Sequence, residues 1–130
     1  MKLLLDTNVA LAIGNSTESS QVAKLVRDPD NQCFLSVVAL WEIAIKTSIN
    51  KMDLGMSLVE FADGFASHGY SFLDVQPKHI YALGTLPSIH KDPFDRLLVA
   101  QAQREDMVLL TTDALLSGYG PNIKQVAKTG

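Results

Sequence analysis

The chain has 130 residues, 47% hydrophobic and 19% charged, which suits one compact domain burying roughly two-thirds of its unfolded surface and leaves no room for a second. Eleven Lys and Arg stand against 14 Asp and Glu, a net charge of -3, so whole-chain electrostatics gives no basis for tight non-specific adhesion to nucleic acid, and any such contact must be local. The single cysteine, Cys33, excludes an internal disulfide and a thiolate zinc site and fits a reducing cytoplasm.

Along the chain, short apolar runs alternate with longer segments of helical period. Lys2 to Leu5 is the first strand. With Met1 it resembles the start of a secretory signal, but Asp6-Thr7-Asn8 interrupts the roughly 7 to 15 apolar residues that a signal needs. No later stretch approaches the roughly 18 needed to span a bilayer. A cytoplasmic protein without a membrane segment is therefore expected.

Cys33 to Leu35 is the second strand, and Ser36 caps a helix from Val37 to Ile49 that is apolar on nearly all sides, as in a helix buried between a sheet and another layer. It stops at Asn50, which tolerates the left-handed conformation. Ser57-Leu58-Val59-Glu60 has capping-box spacing, and Leu58, Phe61, Ala62 and Phe65 keep one face until Gly69. Ser71 to Leu73 is a third strand. Asp92 and Pro93, as N-cap and first helical residue, open a helix continued by Leu97, Leu98, Ala100, Gln101 and Ala102. Val108 to Leu110 is the fourth strand, with a weaker fifth at Ile123 to Val126. The alternation predicts a single α/β domain over 1–130, a parallel sheet covered by helices.

In such a sheet ligands collect at the carboxyl ends of the strands. Asp6 follows the first strand and Asp113 the fourth, while Glu42 lies about two turns into the apolar helix and Asp95 in the first turn of its own. Each has a plain structural alternative: a turn or cap at Asp6 and Asp113, an i,i+4 pair with Lys46 at Glu42, a helix-dipole partner at Asp95. Taken together they imply a cation, because four carboxylates gathered at one sheet end repel and raise one another's pKa. Oxygen donors select Mg²⁺ or Mn²⁺ over zinc, and the matching chemistry is activation of water for in-line attack on a phosphodiester. Thr7, Asn8, Ser36 and Thr112 flank the acids as candidates to orient them by hydrogen bonds.

These segments, Leu3-Leu4-Leu5-Asp6-Thr7-Asn8-Val9, Leu35-Ser36 through Trp41-Glu42 to Lys46, His90-Lys91-Asp92-Pro93-Phe94-Asp95-Arg96 through Ala102, and Leu109-Leu110-Thr111-Thr112-Asp113, resemble the PIN-domain family, specifically the VapC-type toxins of bacterial toxin–antitoxin pairs. The resemblance spans nearly the whole chain. It implies a three-layer α/β/α sandwich with a central parallel sheet, and a metal-dependent endoribonuclease leaving a 3′-hydroxyl and a 5′-phosphate. The family's acidic quartet maps onto Asp6, Glu42, Asp95 and Asp113, holding one or two Mg²⁺ or Mn²⁺ ions. It further implies restraint by a VapB-type antitoxin, a homodimer, and larger assemblies on promoter DNA contacted only through the antitoxin.

Asn50-Lys51-Met52 departs from the Gly-Lys-Leu often found in similar sequences, and Asp92 adds a fifth carboxylate whose expected role is the helix cap. Lys46, Lys51, Lys91, Arg96 and Arg104 are candidate phosphate contacts, Arg96 foremost for its place beside Asp95, with a pairing to Asp92 as its alternative. Trp41, Phe94, Tyr70 and Tyr81 are candidates for base stacking, with a core role the expectation for Trp41 and Phe94 at their spacings.

Three other functions fit less well. A metal-independent nuclease would draw on His68, His79, His90 and Lys91, which nothing in the sequence brings together. An aspartyl phosphatase built on Asp6 usually has a second Asp two residues on, where this chain has Asn8. The remaining alternative is a catalytically weak PIN domain that binds antitoxin or RNA without cutting.

Overall fold

The computed structural model describes residues 1–130. Five strands, β1 (Lys2–Leu5), β2 (Gln32–Ser36), β3 (Ser71–Leu73), β4 (Val108–Thr111) and β5 (Ile123–Gln125), form one parallel sheet in the order β3-β2-β1-β4-β5. Six helices join them: α1 (Thr7–Gly14), α2 (Ser20–Arg27), α3 (Val37–Ser48), α4 (Leu58–Ser67), α5 (Pro77–Leu83) and α6 (Pro93–Arg104), with a 3-10 helix over Ala114–Tyr119. Helices lie on both faces, giving a three-layer α/β/α sandwich as expected.

A central parallel strand is covered on both faces and so reads as continuous apolar sequence. β1 does this with Leu3, Leu4 and Leu5, all fully buried. Side chains alternate across a strand, so Leu3 and Leu5 join Val9, Ala39, Ile43, Phe61 and Phe65 on one face. Leu4 joins Val38, Leu97, Leu98, Val99 and Leu109 on the other. Helix α3 contributes to both cores, through Val38 on one side and Ala39 and Ile43 on the other.

The predicted helix ends follow the local chemistry. Ser36 Oγ accepts from Val38 N to start α3, and Asn50 follows its end at φ 59°, the left-handed conformation anticipated there. Ser57 Oγ accepts from Glu60 N to cap α4, but it is the Ser57 hydroxyl that donates to Glu60 Oε1, so the capping-box spacing yields the cap without the reciprocal bond to the backbone N–H. Asp92 Oδ1 accepts from both Phe94 N and Asp95 N to start α6.

One face of α3 departs from expectation. Trp41, expected in the core, is 55% exposed with its ring edge-on to Phe94, while its neighbour Glu42 is 4% exposed. The largest apolar side chain of the helix faces out and its carboxylate faces in, a reversal of ordinary patterning of the kind found at functional sites.

The chain adds β2 and β3 on one side of β1 before crossing to add β4 and β5 on the other. The strand order therefore reverses between β1 and β4. Crevices at the carboxyl ends of strands at such a reversal are where open α/β sheets bind ligands.

Candidate metal centre

Asp6 leaves β1 at this reversal, its backbone N–H donating to Leu110 O so that it lies beside Thr111 at the end of β4. The carboxylate is buried and doubly held: Oδ1 accepts from Thr7 N at 2.7 Å and Oδ2 from Thr111 Oγ1 at 2.7 Å. Burial pushes its pKa up despite these two bonds, with Glu42 adding repulsion.

Glu42 arrives from α3. Its Oε1 accepts from Thr7 Oγ1 at 2.6 Å, and its Oε2 pairs with Lys46 Nζ at 2.5 Å. Thus the i,i+4 pair considered from sequence is present, with Glu42 buried and Lys46 partly exposed. The Lys46 pKa is raised, chiefly by this bond and against the opposing effect of burial, with the charges of Glu42, Asp92 and Asp95 adding to it. It is the cation that offsets the cluster within the chain itself.

Asp95 sits in the first turn of α6 with its side chain 16% exposed. Desolvation, then the charges of Asp6, Asp92, Glu42 and Asp113, push its pKa up to about 8. Asp113 caps the 3-10 helix through Oδ1, which accepts from Leu115 N at 2.9 Å. Its Oδ2 accepts from His90 Nε2 at 2.9 Å, and this same nitrogen lies 3.6 Å from Asp95 Oδ2. The structure therefore brings all four acids, from four separate elements, to one end of the sheet.

The flanking residues divide. Thr7 does touch an acid, through its bond to Glu42. Asn8 is exposed and makes no side-chain hydrogen bond, because on a helix starting at Thr7 its side chain turns away from the carboxylates. Ser36 is fully buried, but its hydroxyl donates to Gln101 Oε1 at 2.6 Å while capping α3, and it contacts none of the acids.

Thr112 makes no side-chain hydrogen bond either. The hydroxyl that orients the acids is that of Thr111, which donates to Asp6 Oδ2 and accepts from Asp113 N at 3.0 Å. Strand alternation explains the one-residue difference: Thr111, paired in register as the last residue of β4, points inward next to Asp6. The parallel register of β1 and β4 is the sequence signal that would have found it.

Arg96 is also differently placed. Its guanidinium donates to the carbonyls of Pro87 at 2.9 Å and His90 at 3.4 Å and to Tyr119 Oη at 3.2 Å, bracing the loop before α6. That occupation stands in place of the Asp92 pairing considered from sequence. Nor do the histidines form an acid–base pair. His68 is exposed against Gly64 O, His79 is buried between Gln101 and Glu105, and only His90 reaches the acids.

Carboxylate oxygens gathered in this way are the donor type that suits a hard divalent cation, and burial together with the neighbouring charges favours a proton on Asp95 near neutrality. Ligand atoms of His90, Asp95 and Asp113 lie within 4.8 Å of one another.

The sequence matches the PIN domain family over residues 3–120. The chain belongs to that family, whose members are in general nucleases. No curated protein matches the sequence. Among solved structures, the fold is similar to that of a chain of VapBC2 from Rickettsia felis bound to a fragment of its promoter DNA, with 20% identity, 96% of this chain and 98% of that one covered, and a TM-score of 0.74. DNA-bound VapBC from Salmonella typhimurium matches with 19% identity, the same coverages and a TM-score of 0.70. VapBC-1 from nontypeable Haemophilus influenzae matches at 16% identity, again with those coverages, and a TM-score of 0.67. This PIN domain thus shares its architecture, over nearly its whole length, with chains of toxin–antitoxin complexes.

Proposed function

We propose that this PIN domain is a metal-dependent endoribonuclease, the toxin of a VapBC-type pair, in which Asp6, Glu42, Asp95 and Asp113 hold Mg²⁺ or Mn²⁺. The observation that carries the reading is the convergence of these carboxylates at the reversal of strand order, with Glu42 turned inward while Trp41 faces out. A divalent ion bound there supplies neutralisation of phosphodiester charge and activation of water for in-line hydrolysis. Thr7 and Thr111 orient Glu42 and Asp6, and Asp113 is held from two sides. Lys46, paired with Glu42, would hold a positive charge at the edge of the cluster where a phosphate oxygen could be attracted.

Partners follow from the same reading: RNA as substrate, an antitoxin of VapB type covering the acidic end, a homodimer and hetero-oligomers, and promoter DNA reached through the antitoxin. The cytoplasm is the matching compartment, and no helix is long and apolar enough to cross a membrane.

The test incubates purified, antitoxin-free protein with labelled transfer and ribosomal RNA, in Mn²⁺ or EDTA, beside Asp95→Asn. Cleavage is expected only with metal and with Asp95 intact, and the variant is expected to lose at least a hundredfold in rate. A folded protein that binds metal and leaves RNA intact would favour the binding-module reading instead. Cleavage persisting in EDTA would overturn the metal mechanism.

A further inference from the structure

His90 is the one imidazole at the acidic cluster, and distance alone makes it a third candidate ligand beside Asp95 and Asp113. Its hydrogen bonds say otherwise. The backbone N–H of Asp92 donates to His90 Nδ1 at 3.0 Å. A nitrogen that accepts carries no proton, so the ring's proton is on Nε2. That Nε2–H is what meets Asp113 Oδ2 at 2.9 Å. To bind a metal, Nε2 would need a free lone pair, which would move the proton to Nδ1 and set it against the Asp92 N–H, donor facing donor.

The backbone that carries the ring is anchored as well. The His90 backbone N–H donates to Tyr119 Oη at 2.9 Å, and its carbonyl accepts from Arg96, which also donates to Tyr119 Oη. Asp92 joins the two sides of the arrangement: its side chain caps α6 and so sets Asp95, while its backbone N–H sets the His90 tautomer.

Asp113 is the acid most in need of such a partner. Its side chain is 31% exposed, against 16% for Asp95, and the other two acids are buried. With one oxygen on Leu115 N and the other on His90, its carboxylate has a fixed plane and keeps further lone pairs for a cation.

Resting on the metal-nuclease reading above, we infer that His90 is a positioning residue, a donor locked in the Nε2–H tautomer that aims Asp113 at the metal without itself becoming a ligand. Charge-neutral donors of this kind raise metal affinity by removing the freedom of the ligand they hold, and their loss typically costs tenfold to a hundredfold.

The experiment is a long-range ¹H–¹⁵N correlation spectrum of the ¹⁵N-labelled protein, metal-free and with saturating Mg²⁺, with the His90 ring assigned by its disappearance in His90→Gln. It is paired with Mn²⁺ affinity, read from the paramagnetic resonance signal of the free ion. The Nε2–H tautomer is expected in both spectra. Mn²⁺ affinity should fall tenfold to a hundredfold in His90→Ala and return in part in His90→Gln, whose amide N–H₂ can replace the lost donor. A ring protonated on Nδ1, a coordinated-nitrogen coupling in the spin echo of the Mn²⁺ form that vanishes in His90→Gln, or undiminished affinity in His90→Ala would each overturn the inference. Wild-type protein taking up no Mn²⁺ would instead overturn the metal-nuclease reading on which it rests. The tautomer is read on the wild-type chain, so poor folding of His90→Ala leaves the inference exposed to refutation.

Discussion

A hydroxyl one residue away from the expected one decides how the two strand-end acids are tied together. Thr111 Oγ1 gives its proton to Asp6 Oδ2 and receives that of the Asp113 backbone, so a single buried side chain spans the carboxyl ends of β1 and β4. Replacing it by valine keeps the shape and removes both bonds, leaving a buried carboxylate short of a donor. A polar group stranded in this way costs about 1–3 kcal/mol. Thr111→Val is therefore expected to destabilise the protein by about that amount in urea unfolding, and to weaken metal binding. Thr112→Val, at a half-buried hydroxyl without a partner, is expected to change stability by no more than about 0.5 kcal/mol. Equal effects from the two substitutions would refute the assignment.

Helix α3 carries the corresponding lesson for elements. Its sequence is apolar almost all round, and apolarity alone assigns Trp41 to the core. The structure instead gives the core to Val38, Ala39 and Ile43 and leaves Trp41 on the surface with Phe94. Ile43→Ala removes a fully buried side chain and is expected to cost about 2–5 kcal/mol. Trp41→Ala should cost roughly 1 kcal/mol, the order of an aromatic contact with partial burial. Comparison of urea midpoints checks this, and a larger loss at Trp41 than at Ile43 would show the packing to be wrong. Strands, caps and the positions of the acids were legible in the sequence because each depends on local pattern: alternation, cap chemistry, the end of an apolar run. What could not be read depends on register and rotation between elements. Thr111 over Thr112 needs the β1–β4 pairing, the outward turn of Trp41 needs the packing of α3 against α6, and the bracing role of Arg96 needs the course of the loop before it.

At the scale of the whole molecule, the acidic site and the fold's stability share the same strands. β1 and β4 stand at the middle of the sheet and between the two cores, so the carboxylates at their ends are displaced only when the centre of the protein opens. Mutual repulsion there must register in global unfolding. Asp95 has a folded pKa raised from 3.8 to about 8, and that of Asp6 is also raised. A proton held more tightly by the folded than by the unfolded chain stabilises the fold fully below the unfolded value, and this contribution is lost as pH rises through the folded one. The metal-free protein is accordingly expected to melt at progressively lower temperature from about pH 5 to pH 8. A divalent ion held there as proposed would reverse this by replacing the proton, with binding that strengthens as pH rises. At a hundred times its Kd it stabilises by about 2.7 kcal/mol, which for a domain of this size is roughly 10 °C in melting temperature. Mn²⁺ should therefore raise the melting temperature by more at pH 8 than at pH 6. In Asp95→Asn, which removes a charge disfavoured by burial and by its neighbours and one proposed ligand, both the pH slope and the metal shift should shrink. Melting curves with a flat metal-free pH profile, or an Asp95→Asn variant that keeps the full Mn²⁺ shift, would separate the carboxylate cluster from any cation-binding role.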